Sequence, residues 1–184
     1  MNYNKLTLLL SLTYPYSADN IIYLTGNILI TIEELMKVAI GCDHAGLSLK
    51  NDITHVLKEL AIEWEDVGTK TEESVDYPDF GERVAELVSN GKMERGILIC
   101  GTGIGMSIVA NKFPGVRAAL CCEAFSATMS RLHNDANLLV LPGRIIDGKT
   151  AADIVKVWFT TPFEGGRHQK RLDKIKAIEA RLYK

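Results

Sequence analysis

The sequence predicts an α/β protein: a three-layer α/β/α sandwich around a five-stranded parallel, Rossmann-like sheet. Three observations lead there. From Met36 onward, short apolar runs alternate about five times with segments of helical spacing, the pattern of a parallel sheet covered on both faces. The run Gly96–Cys100 (GILIC) is apolar throughout, as a central strand buried on both sides must be. Three segments then fall where the carboxyl ends of strands belong, the place at which such sheets bind ligands: 41–46 (GCDHAG), 100–105 (CGTGIG) and the stretch around 121–123.

The elements follow in order. Lys37–Cys42 (KVAIGC) reads as the first strand. Residues 47–60 have helical spacing at Leu47, Ile53, Val56, Leu57 and Leu60, with His55 read as a packing residue of that helix. Ile62–Val67 is a weaker, edge-like strand. Pro78 sits near the first turn of a helix over 80–88, closed by Asn90-Gly91. After the central strand come a helix over 104–112, a strand over 116–120, a helix over 124–132 and a strand over 138–141. Two helices, roughly 150–159 and 167–182, end the chain. No internal repeat or low-complexity stretch interrupts the pattern.

Residues 1–35 stand apart. Lys5, the apolar run Leu6–Leu12 and Ala18 mimic a short signal peptide. The following Ile21, Ile22, Leu24 and 28–32 read as strand or as nothing in particular. The preferred reading is an upstream in-frame start ahead of a single domain over residues 36–184. A structured extension and an export signal are the alternatives.

Composition narrows the function. The chain has 184 residues, 47% hydrophobic and 24% charged, enough for one good core but not for two full domains. Its net charge of −2 gives no overall basic field to recruit nucleic acid. No apolar run approaches the roughly 20 residues of a membrane span. The four cysteines, Cys42, Cys100, Cys121 and Cys122, fit no zinc spacing and read as reduced thiols of a cytoplasmic protein.

The chemistry concentrates in a few motifs. In Cys100-Gly101-Thr102-Gly103-Ile104-Gly105, alternate glycines let the backbone turn sharply and present its N–H groups to an anion or developing oxyanion. A helix opens from this loop and adds positive potential, a field that activates a thiol at its edge. The same residues could form only a tight strand–helix turn with a small core cysteine. A dinucleotide site fits less well, because Met106 occupies the place its fingerprint reserves for glycine. Asp43-His44 suits acid/base work or anion contact, or else a surface turn. His133-Asn134 offers a proton donor or acceptor beside a hydrogen-bond donor, or else a polar helix end. Arg167 and Arg171 lie four apart on one helix face, which suits a phosphate as well as a solvated basic surface. Together these groups describe a site for a phosphorylated sugar.

Five segments, 41–46 (GCDHAG), 99–105 (ICGTGIG), 111–113 (NKF), 131–137 (RLHNDAN) and 164–171 (EGGRHQKR), resemble the ribose-5-phosphate isomerase B family. The wider group includes galactose-6-phosphate and allose-6-phosphate isomerases. The resemblance runs from about Met36 to the C-terminus. It implies a homodimer, in some cases a dimer of dimers, with neither metal nor cofactor. It further implies Cys100 as the base forming the enediol, with Thr102 assisting in the loop of Gly101, Gly103, Ile104 and Gly105. Asp43 and His133 would open the sugar ring, His133 reaching in from the partner subunit. His44, Arg144, Arg167 and Arg171 would hold the phosphate, and Asn134 a sugar hydroxyl. Relatives that place a glutamate a few residues later lack this cysteine; here those positions are Ile104 and Gly105. The rival classes are a thiol-dependent hydrolase using Cys100 and His133, and a phospholigand-binding module without catalysis.

Overall fold

The computed structural model describes residues 21–24, 28–31 and 36–183 of the chain. The signal-like stretch from Lys5 to Ala18 lies outside them. The chain divides into two units, residues 1–35 and 36–184. In the first, β1 (Ile21–Leu24) pairs antiparallel with β2 (Ile28–Thr31), Ile21 opposite Thr31 and Leu24 opposite Ile28.

The second unit is the predicted sandwich. Its strands are β3 (Lys37–Cys42), β4 (Glu63–Asp66), β5 (Arg95–Cys100), β6 (Ala118–Leu120) and β7 (Leu138–Pro142). Its helices are α1 (Leu47–Glu59), α2 (Tyr77–Ser89), α3 (Ile104–Ala110), α4 (Ala124–Asn134), α5 (Gly148–Thr160) and α6 (Arg167–Leu182). All strand pairs of the sheet are parallel, in the order β4-β3-β5-β7-β6.

Successive strand residues face opposite sides of a pleated sheet. Ile97, Ile99, Leu139 and Leu141 accordingly pack with α1 and α5, around Ile53, Leu57, Ile154 and Trp158. Leu98, Cys100, Leu138 and Val140 pack with α2 and α3, around Val84, Ala85, Met106 and Ala110. β5 is buried along its whole length, as its apolar run requires. The edges differ from it. β4 exposes Glu63, Glu65 and Asp66, and β6 has only three residues.

Several boundaries move for local reasons. The predicted helix over 104–112 ends at Ala110 because Asn111 turns its side chain back. The Asn111 amide donates to the Ser107 and Ala118 carbonyls at 2.9 and 3.0 Å, and its oxygen accepts the Ala118 N–H at 3.0 Å. α5 starts at Gly148 because the Asp147 carboxylate accepts the Thr150 N–H at 2.7 Å. α4 continues to Asn134 and stops at Asp135, which takes a left-handed conformation with φ 44°. His55 corrects its sequence reading: it is exposed on α1, and Ile53, Val56 and Leu57 make the buried face.

The chain runs outward from β3 to β4, returns to β5 and then builds away on the other side. The gap between the carboxyl ends of β3 and β5 is therefore a topological switch point, where open α/β sheets bind their ligands.

Candidate active site

At that switch point β3 delivers Asp43 and His44, and β5 delivers Cys100. Asp43 is buried. Its Oδ1 accepts the N–H groups of Ala45 and Gly46 at 2.9 and 3.1 Å, which caps a single 3₁₀ turn over 44–46. The Asp43 N–H donates to the Ile99 carbonyl at 3.2 Å and so fixes this turn beside β5. Two further bonds bring in a third loop. The Cys100 carbonyl accepts the Gly143 N–H at 2.8 Å, and the Gly101 carbonyl accepts the Arg144 N–H at 3.0 Å. The Arg144 side chain lies along Gly101, where a Cβ would stand 3.4 Å from its Cδ and 3.6 Å from Nη1.

The loop itself has the predicted form. Gly103 has φ 74°, and a Cβ there would stand 2.4 Å from Leu120 Cδ1, so only glycine fits. Thr102 Oγ1 accepts the Ile104 N–H at 3.4 Å. The first-turn N–H groups of α3 have no acceptor within the helix and point toward the loop. Tyr77, at the start of α2, packs its ring against Gly105. Nothing in the sequence marked Tyr77, since a lone aromatic before a proline carries no spacing signal. Cys100, Thr102, Gly101, Gly103, Ile104, Gly105, Asp43, His44 and Arg144 thus share one end of the sheet.

The remaining predicted residues assemble elsewhere. His133, in the last turn of α4, stacks on His168 with ring centroids 4.1 Å apart and planes 3° from parallel. Glu164 Oε2 lies 3.8 Å from His133 Nε2 and 3.5 Å from His168 Nε2. Arg167 Nε donates to His168 Nε2 at 3.2 Å, and Arg171 Nη1 lies 3.5 Å from Nδ1. The two guanidinium groups therefore bracket one buried imidazole. Burial holds the His168 ring below its ordinary pKa; His133, Arg167 and Arg171 push the same way, and Glu164 opposes.

Two histidines and a carboxylate this close could be taken for metal ligands. A metal lies in the plane of each imidazole that binds it, and two parallel, stacked rings share no such plane. With two guanidinium groups beside them, the cluster suits an anion. Its position is held by Arg131, from the segment 131–137, and by Arg117, which no motif contains. Arg131 is buried and donates to Asp135 Oδ1 at 2.8 Å and to the Ala136 carbonyl at 2.6 Å. Arg117 grips the other Asp135 oxygen at 2.9 Å. His168 and Glu164 belong to the segment 164–171, but their contact with His133 joins α4 to the start of α6, which one-dimensional spacing does not show.

The two groups occupy opposite ends of the sheet. α4 and α5 run antiparallel to the strands, so their C-terminal ends, and the start of α6, lie at the amino end. The Gly96 N–H, near the start of β5, donates to the Asn137 carbonyl just past α4 at 2.9 Å. From Gly96 to Cys100 is four strand steps, about 13 Å. His133, Asn134, Arg167 and Arg171 therefore lie at the far end of β5 from Cys100 of the same chain.

Residues 38–175 match the Ribose/Galactose Isomerase family, and the chain belongs to it. Ribose-5-phosphate isomerase B of Escherichia coli is 48% identical over 147 residues, which cover 80% of this chain and 99% of the relative. D-erythrulose-4-phosphate isomerase of Pectobacterium atrosepticum is 41% identical over 142 residues, 77% of this chain and 93% of the relative. The solved structure of Clostridium thermocellum ribose-5-phosphate isomerase B is similar with a TM-score of 0.77 and 52% identity, covering 80% of this chain and 99% of that one. The resemblance read from five motifs and the α/β sandwich read from periodicity both hold.

Proposed function

We propose that the protein is a cofactor-free aldose–ketose isomerase that interconverts ribose 5-phosphate and ribulose 5-phosphate in the cytoplasm, as a homodimer. The observation that carries this reading is the meeting of Asp43, Cys100 and the glycine loop at the switch point, in a chain that matches ribose-5-phosphate isomerase B over nearly that enzyme's full length.

The mechanism follows from the groups available. The sugar is mostly cyclic, so ring opening comes first and needs one acid and one base, the roles of His133 and Asp43. The open chain gives up its C2 proton to Cys100, which leaves a cis-enediolate. Its oxygen anion is met by loop amides from Gly101 to Gly105, with the Thr102 hydroxyl beside them. As the C2 hydroxyl proton passes to O1, Cys100 returns its proton to C1, which leaves the carbonyl at C2. Arg167, Arg171, Arg144 and His44 grip the phosphate, and Asn134 a hydroxyl, so that remote binding orients the reacting carbons.

A site of this composition calls for two copies of the chain, because His133 lies on α4 at the amino end of the sheet and Cys100 at its carboxyl end, four strand steps (about 13 Å) of β5 between them, and proton transfer needs hydrogen-bond contact. In a two-fold dimer, the carboxyl end of one sheet would face the amino end of the other. Ile104 and Ile108, one turn apart on α3 directly after the loop, are exposed and offer an apolar strip for that contact.

The test is turnover of ribose 5-phosphate, allose 6-phosphate, galactose 6-phosphate and D-erythrulose 4-phosphate by the pure protein, with Cys100→Ser as control. Ribose 5-phosphate should give the highest kcat/KM, and the variant should lose kcat by about 10³-fold while still binding. A higher kcat/KM on a hexose or tetrose phosphate would reassign the substrate, and a near-normal kcat in Cys100→Ser would remove the cysteine from the chemistry.

A further inference from the structure

His44 makes one bond that the proposed mechanism does not use. Its Nδ1 accepts the backbone N–H of Val75, 31 residues along the chain, at 3.2 Å. An imidazole nitrogen that accepts a hydrogen bond presents its lone pair, so the ring proton stands on the other nitrogen. We propose that Val75 fixes His44 as the Nε2–H tautomer, a preset hydrogen-bond donor for the oxygens of an anionic group on the substrate, and that Lys50 is the positioning residue that holds the Val75 segment in place. The inference rests on the reading of His44 as a phosphate contact and adds the form in which the ring makes it.

The segment is fastened at both ends. Val67 N–H donates to the Ile40 carbonyl at 2.9 Å and Thr69 N–H to the Cys42 carbonyl at 3.0 Å, which extends the β3–β4 pairing past the end of the strands. Lys50, on α1, is buried, and its ammonium group donates to both Asp66 oxygens at 3.0 and 2.9 Å and to the Thr69 carbonyl at 2.7 Å. Asp66 in turn accepts the Gly68 N–H at 3.0 Å. Gly68 passes so near β3 that a Cβ would stand 2.6 Å from the Cys42 nitrogen. Residues 70–74 then run exposed to Val75, where the chain is fastened again through His44.

A buried lysine is costly unless paired, so three bonds from one ammonium group to residues 66 and 69 mark a fixed anchor. The consequence is functional. A ring free to rotate could offer a phosphate either a lone pair or a proton, and the lone pair would be repelled. With Nδ1 already engaged, only the donor remains, and substrate binding loses no rotational freedom of that ring.

The test is heteronuclear NMR of the full chain labelled with nitrogen-15 in histidine, at a pH well above the ordinary histidine range. The His44 resonances are assigned by their loss in His44→Gln. The expected spectrum shows Nδ1 as an unprotonated nitrogen and Nε2 as a protonated one, with ribose 5-phosphate moving the Nε2–H signal and leaving Nδ1 in place. A carboxamide at position 44 mimics Nε2 when it is Gln and Nδ1 when it is Asn. The KM of His44→Asn should therefore exceed that of His44→Gln by about tenfold, the worth of one charge-assisted hydrogen bond. Lys50→Met should average the two tautomers and raise KM while kcat stays nearly constant. If that variant does not fold, the wild-type spectrum decides alone. A proton on Nδ1, or both tautomers populated in the wild type, overturns the inference even in an active isomerase. Failure of ribose 5-phosphate as substrate would sink the proposed function and leave the tautomer measurement standing.

Discussion

Mixing two dead variants should restore activity. Cys100→Ala removes the proposed proton carrier at the carboxyl end of β5, and His133→Ala removes the proposed ring-opening group on α4 at the amino end of the sheet. Since about 13 Å of strand separates those ends, an active site containing both residues draws them from different chains. Each variant alone carries one lesion in every site and should be inactive. In a mixed dimer, one site carries both lesions and the other carries neither. Random exchange makes about half of the dimers mixed, each with one working site of two, so activity should return to roughly a quarter of wild type. The assay is ribulose 5-phosphate formation after the variants are mixed under conditions that exchange subunits, with exchange confirmed by mass spectrometry of differently labelled chains. No recovery in confirmed mixed dimers would refute the shared site.

Four further outcomes are expected. Arg167→Ala or Arg171→Ala should weaken ribose 5-phosphate by about 1.5–3 kcal/mol in steady-state kinetics and leave unphosphorylated ribose unaffected; equal losses on both sugars would make the pair structural. Gly103→Ala forces a side chain into a φ of 74° and against Leu120; it should cost about 1–3 kcal/mol in denaturant unfolding from backbone strain alone and lower kcat by distorting the loop. Asp135→Ala leaves the buried Arg131 without its carboxylate and should cost about 3 kcal/mol, with Asp135→Asn intermediate because asparagine tolerates the left-handed backbone. Burial pushes the Cys42 thiol up from 9.0 to about 11. The folded state then holds its proton more tightly than the unfolded one, so this contribution is complete below pH 9 and is lost as pH rises toward 11. It amounts to about 3 kcal/mol, should appear as a falling midpoint in alkaline denaturation, and should vanish in Cys42→Ala.

Periodicity revealed the sheet because β7 and the run 96–100 of β5 are buried on both faces and are apolar throughout. It located α6 to the residue, since Gly165 and Gly166 end one segment and a continuous helical spacing begins at Arg167. Helix ends were less legible where a side chain from elsewhere closes them, as Asn111 does by bonding to Ala118 across a turn. His55 was misjudged because a helix carries apolar and polar residues side by side, and position alone did not say that it falls between the buried Ile53 and Val56. The glycine loop and Asp43 were found from their local pattern, which is where their physics lies. The stacking of His133 on His168, Tyr77 against Gly105 and the hold of Val75 on His44 join residues 35, 28 and 31 positions apart. No local pattern encodes such contacts.

The borders of the sheet govern how copies of this chain can meet. Unpaired strand edges invite other strands to add, and proteins blunt them with charge or by keeping them short. Both devices are present: β4 exposes the carboxylates of Glu63 and Glu65, and β6 offers only three residues of backbone. A second copy approaching β4 edge-on would bring like carboxylates together, and one approaching β6 would find few bonds to make. Growth of the five-stranded sheet from chain to chain, the route to fibrils and to intertwined dimers alike, is thereby disfavoured. In the proposed dimer, contact through helices and loops would bring a partner's histidine to a cysteine without disturbing the strand that carries it.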